Sequence, residues 1–169
     1  MDIPELESDH LIIDSCRRLT GPSLVWNETG AILDVFISDM DMEQVLACWY
    51  RQLEQLLTDL AWVEPKLTHR RFENGYNLLL AAPIDQLYSA VLVLETAWYC
   101  CACELLDQQA QPREPFLDAI RRQMSEERSP ALIEMERAAA QHAVDFLVDD
   151  ELVSLGHGIG SRCYPAEQI

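Results

Sequence analysis

Glu95 is the residue whose type and position most invite chemistry. It sits inside the run Leu87–Leu106, where almost every other side chain is apolar. A carboxylate without a partner in such surroundings either takes up a proton or costs several kcal/mol. Arg17, Arg70, Arg71, Arg162 or His69 could supply the partner. A structural ion pair, a ligand-binding carboxylate and a solvent-facing position are the three readings. Cys100 and Cys103 follow on the same run with C-x-x-C spacing, which puts both thiols on one side of a helix. A metal or redox site of that kind needs a second pair or a nearby histidine, and neither is local. Three small thiols lining a tight helix packing account for Cys100, Cys101 and Cys103 more simply.

The stretch Leu155-Gly156-His157-Gly158-Ile159-Gly160-Ser161-Arg162 has the glycine density of a phosphate-cradling loop. Such loops need a helix to start at their end with its amides aimed at the anion, and Cys163-Tyr164-Pro165 is not a helix start. Two readings stay open: a turn in which glycine allows close backbone approach, and an exposed binding loop using His157, Ser161 and Arg162. There is no Gly-x-Ser-x-Gly elbow, and none of His10, His69, His142 and His157 lies beside a cysteine or carboxylate in a catalytic pattern. No cofactor, metal or catalytic residue is assigned from the sequence.

The elements that must position these residues read as follows. His10–Asp14 and Ala31–Ile37 are short, β-branched strands, with Ser15–Arg18 carrying the first into a turn and Leu19–Ser23 forming a loop. Asp39 or Asp41 can cap an amphipathic helix over Met42–Trp62. Asn74-Gly75 joins Thr68–Phe72 to Tyr76–Ala82 as a hairpin, and the second of these strands is apolar enough to lie mid-sheet. Pro83 then opens a long apolar helix reaching Gln108. Shorter helices follow over Phe116–Glu126 and, after the cap Ser129-Pro130, over Ala131–Ala143; Asp145–Asp150 and Leu152–Leu155 return to extended structure. This order predicts one α+β domain over residues 1–169, a mostly antiparallel sheet packed by helices with one long central apolar helix.

The chain has 169 residues, 49% of them hydrophobic and 24% charged, which suits one soluble core. A formal charge of −17 repels phosphate backbones and anionic lipid, so nucleic acid is not expected as a partner; a solvated, solubilising acidic surface is the first reading of the charge and recognition of a basic ligand the second. The Leu87–Leu106 run is long enough for a bilayer, but Glu95 at its middle and the lack of flanking Lys or Arg argue against a membrane span. The opening MDIPELESDH has no basic region followed by an apolar one, so a cytoplasmic protein with reduced thiols is the expectation.

Two segments together carry a family resemblance. Arg17-Arg18-Leu19-Thr20-Gly21-Pro22-Ser23 with Trp26 resembles the arginine-leucine-x-glycine-proline-asparagine stretch in the N-terminal domain of cyanophycin synthetases and related Mur-ligase-like proteins. Asp149–Arg162 is similar to the segment that closes that domain, and Ala82-Pro83-Ile84-Asp85, leading into the helix with Glu95, Ala97 and Trp98, falls in the right order between them. Such proteins are ATP-dependent amide ligases. The resemblance implies an accessory domain that holds a peptide-like or amino-acid-polymer substrate with Arg17, Arg18, Gly21, Pro22, Glu95, His157, Ser161 and Arg162, in partnership with a ligase catalytic domain. The family's ATP loop would begin just beyond a segment like the one ending at Ile169, so the expectation is the accessory domain without its ATP-binding part. The zinc-peptidase motif of some members is not carried over, because Ile84–Asp107 contains no histidine. Ser23 stands where the family has asparagine. The alternative is an acidic protein-protein interaction or regulatory module with no small-molecule ligand. Self-association into a homo-oligomer is compatible with either.

Overall fold

The computed structural model describes Ile3, Pro4, Leu6 and Ser8–Ile169, with Glu167 by its backbone alone. Along the chain lie β1 (Leu11–Leu19), β2 (Gly30–Ile37), α1 (Met42–Asp59), β3 (Leu67–Phe72), β4 (Gly75–Ala81), α2 (Leu87–Leu105), α3 (Arg113–Glu127), α4 (Pro130–Gln141), β5 (Phe146–Val148), β6 (Leu152–Leu155) and β7 (Arg162–Pro165). The architecture is α+β, as expected, with every strand pairing antiparallel. There are two sheets, however: a four-stranded one in the order β1-β2-β4-β3 and a three-stranded one in the order β5-β6-β7.

Alternation within β2 and β4 builds the main core. Ala31, Leu33, Val35 and Ile37 of β2, with Tyr76, Leu78 and Leu80 of β4, join Trp49, Leu53 and Leu56 of α1 and Val93, Leu94 and Ala97 of α2 in one buried cluster. The intervening Ile32 and Leu79, with Leu19, are buried on the opposite face beneath Val25 and Trp26 of the β1–β2 loop. Both central strands are therefore contacted on two sides, which is what their nearly unbroken apolar runs require.

The helix starts follow local chemistry. The Asp41 carboxylate accepts the Glu43 amide at 3.0 Å, and the Ser129 hydroxyl accepts the Leu132 amide at 3.3 Å with Pro130 in the first turn. These side chains satisfy amides that have no partner within the helix. α3 starts earlier than expected, at Arg113, because Pro115 falls in its first turn, where a missing amide proton is tolerated.

Three expectations are corrected. The first strand does not end at Asp14. A bulge between Ile13 and Ser15 lets it continue to Leu19, so Arg17 and Arg18 lie on a strand and point to opposite faces. The 67–81 hairpin turns on Glu73-Asn74 alone. Gly75 belongs to β4, where a Cβ would stand 1.9 Å from the Val35 carbonyl oxygen, so this glycine is needed for close approach to β2.

The third correction concerns α2. It begins at Leu87, because Pro83–Gln86 form a turn closed by the Gln86 amide on the Pro83 carbonyl at 2.9 Å. With 19 residues it exceeds α1 by a single residue, so no helix stands apart by length. Nor is it wrapped on every side. Tyr88, Val91, Leu92 and Glu95, at i, i+3, i+4 and i+7, form one less buried stripe along it. Among the described residues no helix is long and apolar enough to cross a membrane.

Candidate functional site

A cavity of about 180 Å³ opens where the end of β1, the start of α2, the α3–α4 junction and the three-stranded sheet meet. Its polar wall is built around Arg18, Tyr88 and Asp150. The side chain of Arg18 lies opposite Ala31 and so on the helix side of the four-stranded sheet. Its guanidinium carbon stands 4.0 Å from the centre of the Tyr88 ring. It donates to both carboxylate oxygens of Asp150, from Nη1 to Oδ1 and from Nη2 to Oδ2 at 2.9 Å. The Tyr88 hydroxyl donates to Asp150 Oδ1 at 2.8 Å, closing a three-membered cluster. A guanidinium fork on a carboxylate with an aromatic face behind it fixes all three groups in orientation.

Further carboxylates line the same space. Glu127, at the end of α3, accepts the Tyr88 and Ser89 amides at 3.2 and 3.3 Å and so caps α2, which has no side-chain cap of its own. Asp85 is 8% exposed and accepts the Ser129 amide at 3.1 Å. Asp149 accepts the Glu151 and Leu152 amides at 2.9 and 2.7 Å, holding the β5–β6 turn. Ile84, Leu87, Leu132, Val148 and Val153 supply the apolar wall.

The electrostatics follow from this arrangement. Hydrogen bonds from Arg18 and then Tyr88 hold the Asp150 carboxyl below the usual carboxylate range. The same bond raises the Tyr88 hydroxyl, since losing its proton would set two anions side by side. Burial pushes Glu127 up, against the opposing pull of its hydrogen-bond donors. Nearby Glu136 is also pushed up, by burial first and then by the Asp85 charge. The cavity therefore presents four carboxylates against one guanidinium in a partly desolvated setting.

Of the residues singled out by sequence, Arg18 alone lines this cavity. Arg17 is on the other face of β1, where it and Ser15 donate to Asp34, a buried carboxylate that also accepts from Asn77 at 2.6 Å. Gly21 stands against Leu147 of β5, and neither Gly21 nor Pro22 lines the cavity. Glu95 is half-buried on the open stripe of α2 and makes no ion pair among the described residues. Arg17 pairs with Asp34 and Arg71 with Glu43 instead. Burial alone raises the Glu95 carboxyl.

The glycine loop turns through positive φ and not through close backbone approach, since a Cβ on Gly158 or Gly160 would meet open space. Gly156 and Gly158 take φ of 76° and 68°, and the Gly156 amide reaches back to the Asp145 carbonyl at 2.7 Å. His157 Nδ1 is joined to the Asp145 carboxylate, while the Ser161 hydroxyl donates to the Gly158 carbonyl at 2.9 Å, so these three side chains form no relay. Arg162 is exposed and makes no ion pair among the described residues.

Sequence reasoning missed Tyr88, Asp85, Glu127, Asp149 and Asp150 as lining residues. Asp85 and the Asp149-Asp150 pair stood inside the segments that carry the family resemblance. Tyr88 and Glu127 had no signal, since they are surface-type residues brought together only by helix packing. Neither a family model nor a curated protein matches the chain.

Proposed function

We propose that this chain is a non-catalytic substrate-holding domain that works with an ATP-dependent amide ligase of the Mur or cyanophycin-synthetase kind. It takes the cationic side chain of a peptide-like ligand into the cavity between Arg18, Tyr88, Asp85 and Asp150. The observation that carries this reading is convergence: Arg18 from the first resembling segment, Ile84 and Asp85 from the second, and Asp149 and Asp150 from the third all line one space.

The chemistry suits a guanidinium or ammonium group. Four carboxylates outnumber the one fixed cation, and apolar walls on the same cavity accommodate the aliphatic stem of a lysine or arginine. A volume of about 180 Å³ admits one side chain, being below the roughly 300 Å³ at which drug-sized sites begin.

Calorimetric titration with an Asp-Arg dipeptide tests the reading. Saturable binding with Kd below about 1 mM, weakened at least tenfold in Asp149→Asn and absent with an Asp-Glu dipeptide, is the expected outcome. Equal heats for the basic and acidic dipeptides, or no saturable binding with or without the ligase portion, would leave the acidic interaction module as the better description.

A further inference from the structure

Arg18 is held in the cavity as a bound cation would be. Its guanidinium carbon lies 4.0 Å from the centre of the Tyr88 ring. Its Nη1 and Nη2 meet the two Asp150 oxygens as a fork, the second at 2.9 Å, and the Tyr88 hydroxyl steadies Oδ1 of the same carboxylate at 2.8 Å. An aromatic face beside a carboxylate that offers both oxygens is shaped for a planar cation. Among the described residues no other arginine reaches both oxygens of one carboxylate or stacks on a ring; the pairs of Arg17, Arg51 and Arg71 each use a single contact.

We propose that Tyr88 and Asp150 form a guanidinium seat and that Arg18 is its resident occupant, displaced when the side chain of an arginine in the ligand enters. Given the basic ligand proposed above, on which this inference rests, the seat selects guanidinium over ammonium and Arg18 sets how tightly the ligand is taken. An ammonium is a point charge. It cannot fork onto both oxygens and lie flat on the ring at once, so it competes poorly against the guanidinium already in place.

Three features make Arg18 displaceable. It hangs from β1, an edge strand of the four-stranded sheet, so its side chain can swing away without parting two strands. The Asp150 carboxylate is more than half exposed, and an ion pair so open to water is weakly held. Glu127 lines the same cavity, so the released guanidinium has a second carboxylate to turn to and the exchange leaves no cation unpaired.

Hydrogen exchange of the β5–β7 amides tests the seat without any peptide. Arg18→Ala should speed that exchange, and millimolar methylguanidinium should restore the protection, with methylammonium at least about tenfold weaker. Wild-type chain, whose seat is filled, should take methylguanidinium about fivefold more weakly than Arg18→Ala, the worth of an exposed ion pair. Arg18→Lys keeps the charge and loses the fork, so its flap should exchange nearly as fast as that of Arg18→Ala. Equal rescue by the two cations, rescue by neither, equal affinity of the two chains for methylguanidinium, or full protection in Arg18→Lys would each overturn the seat. An Asp-Arg dipeptide that binds neither chain while methylguanidinium still restores protection would overturn the ligand reading and leave the seat standing.

Discussion

The four-stranded sheet and the three-stranded sheet are both antiparallel, yet they are stabilised in different ways. The first has strands of six to nine residues and buries Trp49, Leu53, Leu56 and Leu94 against its inner face. The second has strands of three or four residues, leaves Leu147, Leu152 and Tyr164 exposed, and buries Val153 fully. Phe146 and Val148, partly buried against the main core, and Asp150, bonded to Arg18 and Tyr88, complete its attachment. Apolar burial scales with contact area, whereas an exposed ion pair contributes little. The difference teaches that global stability resides in the body, while the candidate ligand site lies on the seam with a more loosely held flap.

That contrast breaks down if the two halves respond alike to truncation. Trp49→Ala should destabilise the whole chain by about 3–5 kcal/mol in denaturant unfolding, because a fully buried large side chain leaves a cavity. Val153→Ala should cost about 2 kcal/mol and act mainly on the flap. In hydrogen exchange it should release β5–β7 amides and spare those of β2 and β4. Equal loss of protection in both sheets would make the chain one cooperative unit.

Arg18→Ala sharpens the comparison at smaller cost. Its side chain is 25% exposed and Asp150 is 56% exposed, so the ion pair and the stacking on Tyr88 together should contribute about 1 kcal/mol. The loss should appear as faster exchange in β5–β7 with little change in the midpoint of global unfolding. A fall of several kcal/mol would mean that the seam is part of the main core.

Acidification gives the smallest effect, with two opposite signs. Burial raises Glu95, Glu127 and Glu136 above the ordinary carboxylate value, so the folded state penalises their charged forms at neutral pH. As pH falls through those raised values that penalty is relieved, and stability rises. Asp150 is depressed, so its contribution is complete above the ordinary carboxylate pKa and is lost as pH falls below about 4 towards its folded value. Denaturant midpoints should therefore climb as pH falls from neutral towards the ordinary carboxylate value and drop once it falls below about 4. Glu95→Gln should flatten the climb. A monotonic loss of stability from pH 7 downward would contradict these assignments.

Much of the body was legible in the sequence because its signals are local. The caps at Asp41 and Ser129, the apolar run of β4 and the helical spacing of Val45, Trp49 and Leu53 each name their own element. The site was not legible in the same way. Arg18 was assigned to a turn because nothing local marks the bulge that carries β1 onward to Leu19. Tyr88 and Glu127 are 39 residues apart and meet through one backbone hydrogen bond at the start of α2. Glu95 appeared to demand an ion pair because an apolar run was read as burial on every side. The open stripe of Tyr88, Val91, Leu92 and Glu95 removes that demand.

The central claim is that the seam cavity holds a basic side chain, and amide and side-chain NMR shifts during titration with an Asp-Arg dipeptide test it most directly. Saturable shifts are expected at Arg18, Asp85, Tyr88 and Asp150, with no comparable change at His157, Ser161 or Arg162. Shifts centred on the glycine loop, or none that saturate at the cavity, would contradict it.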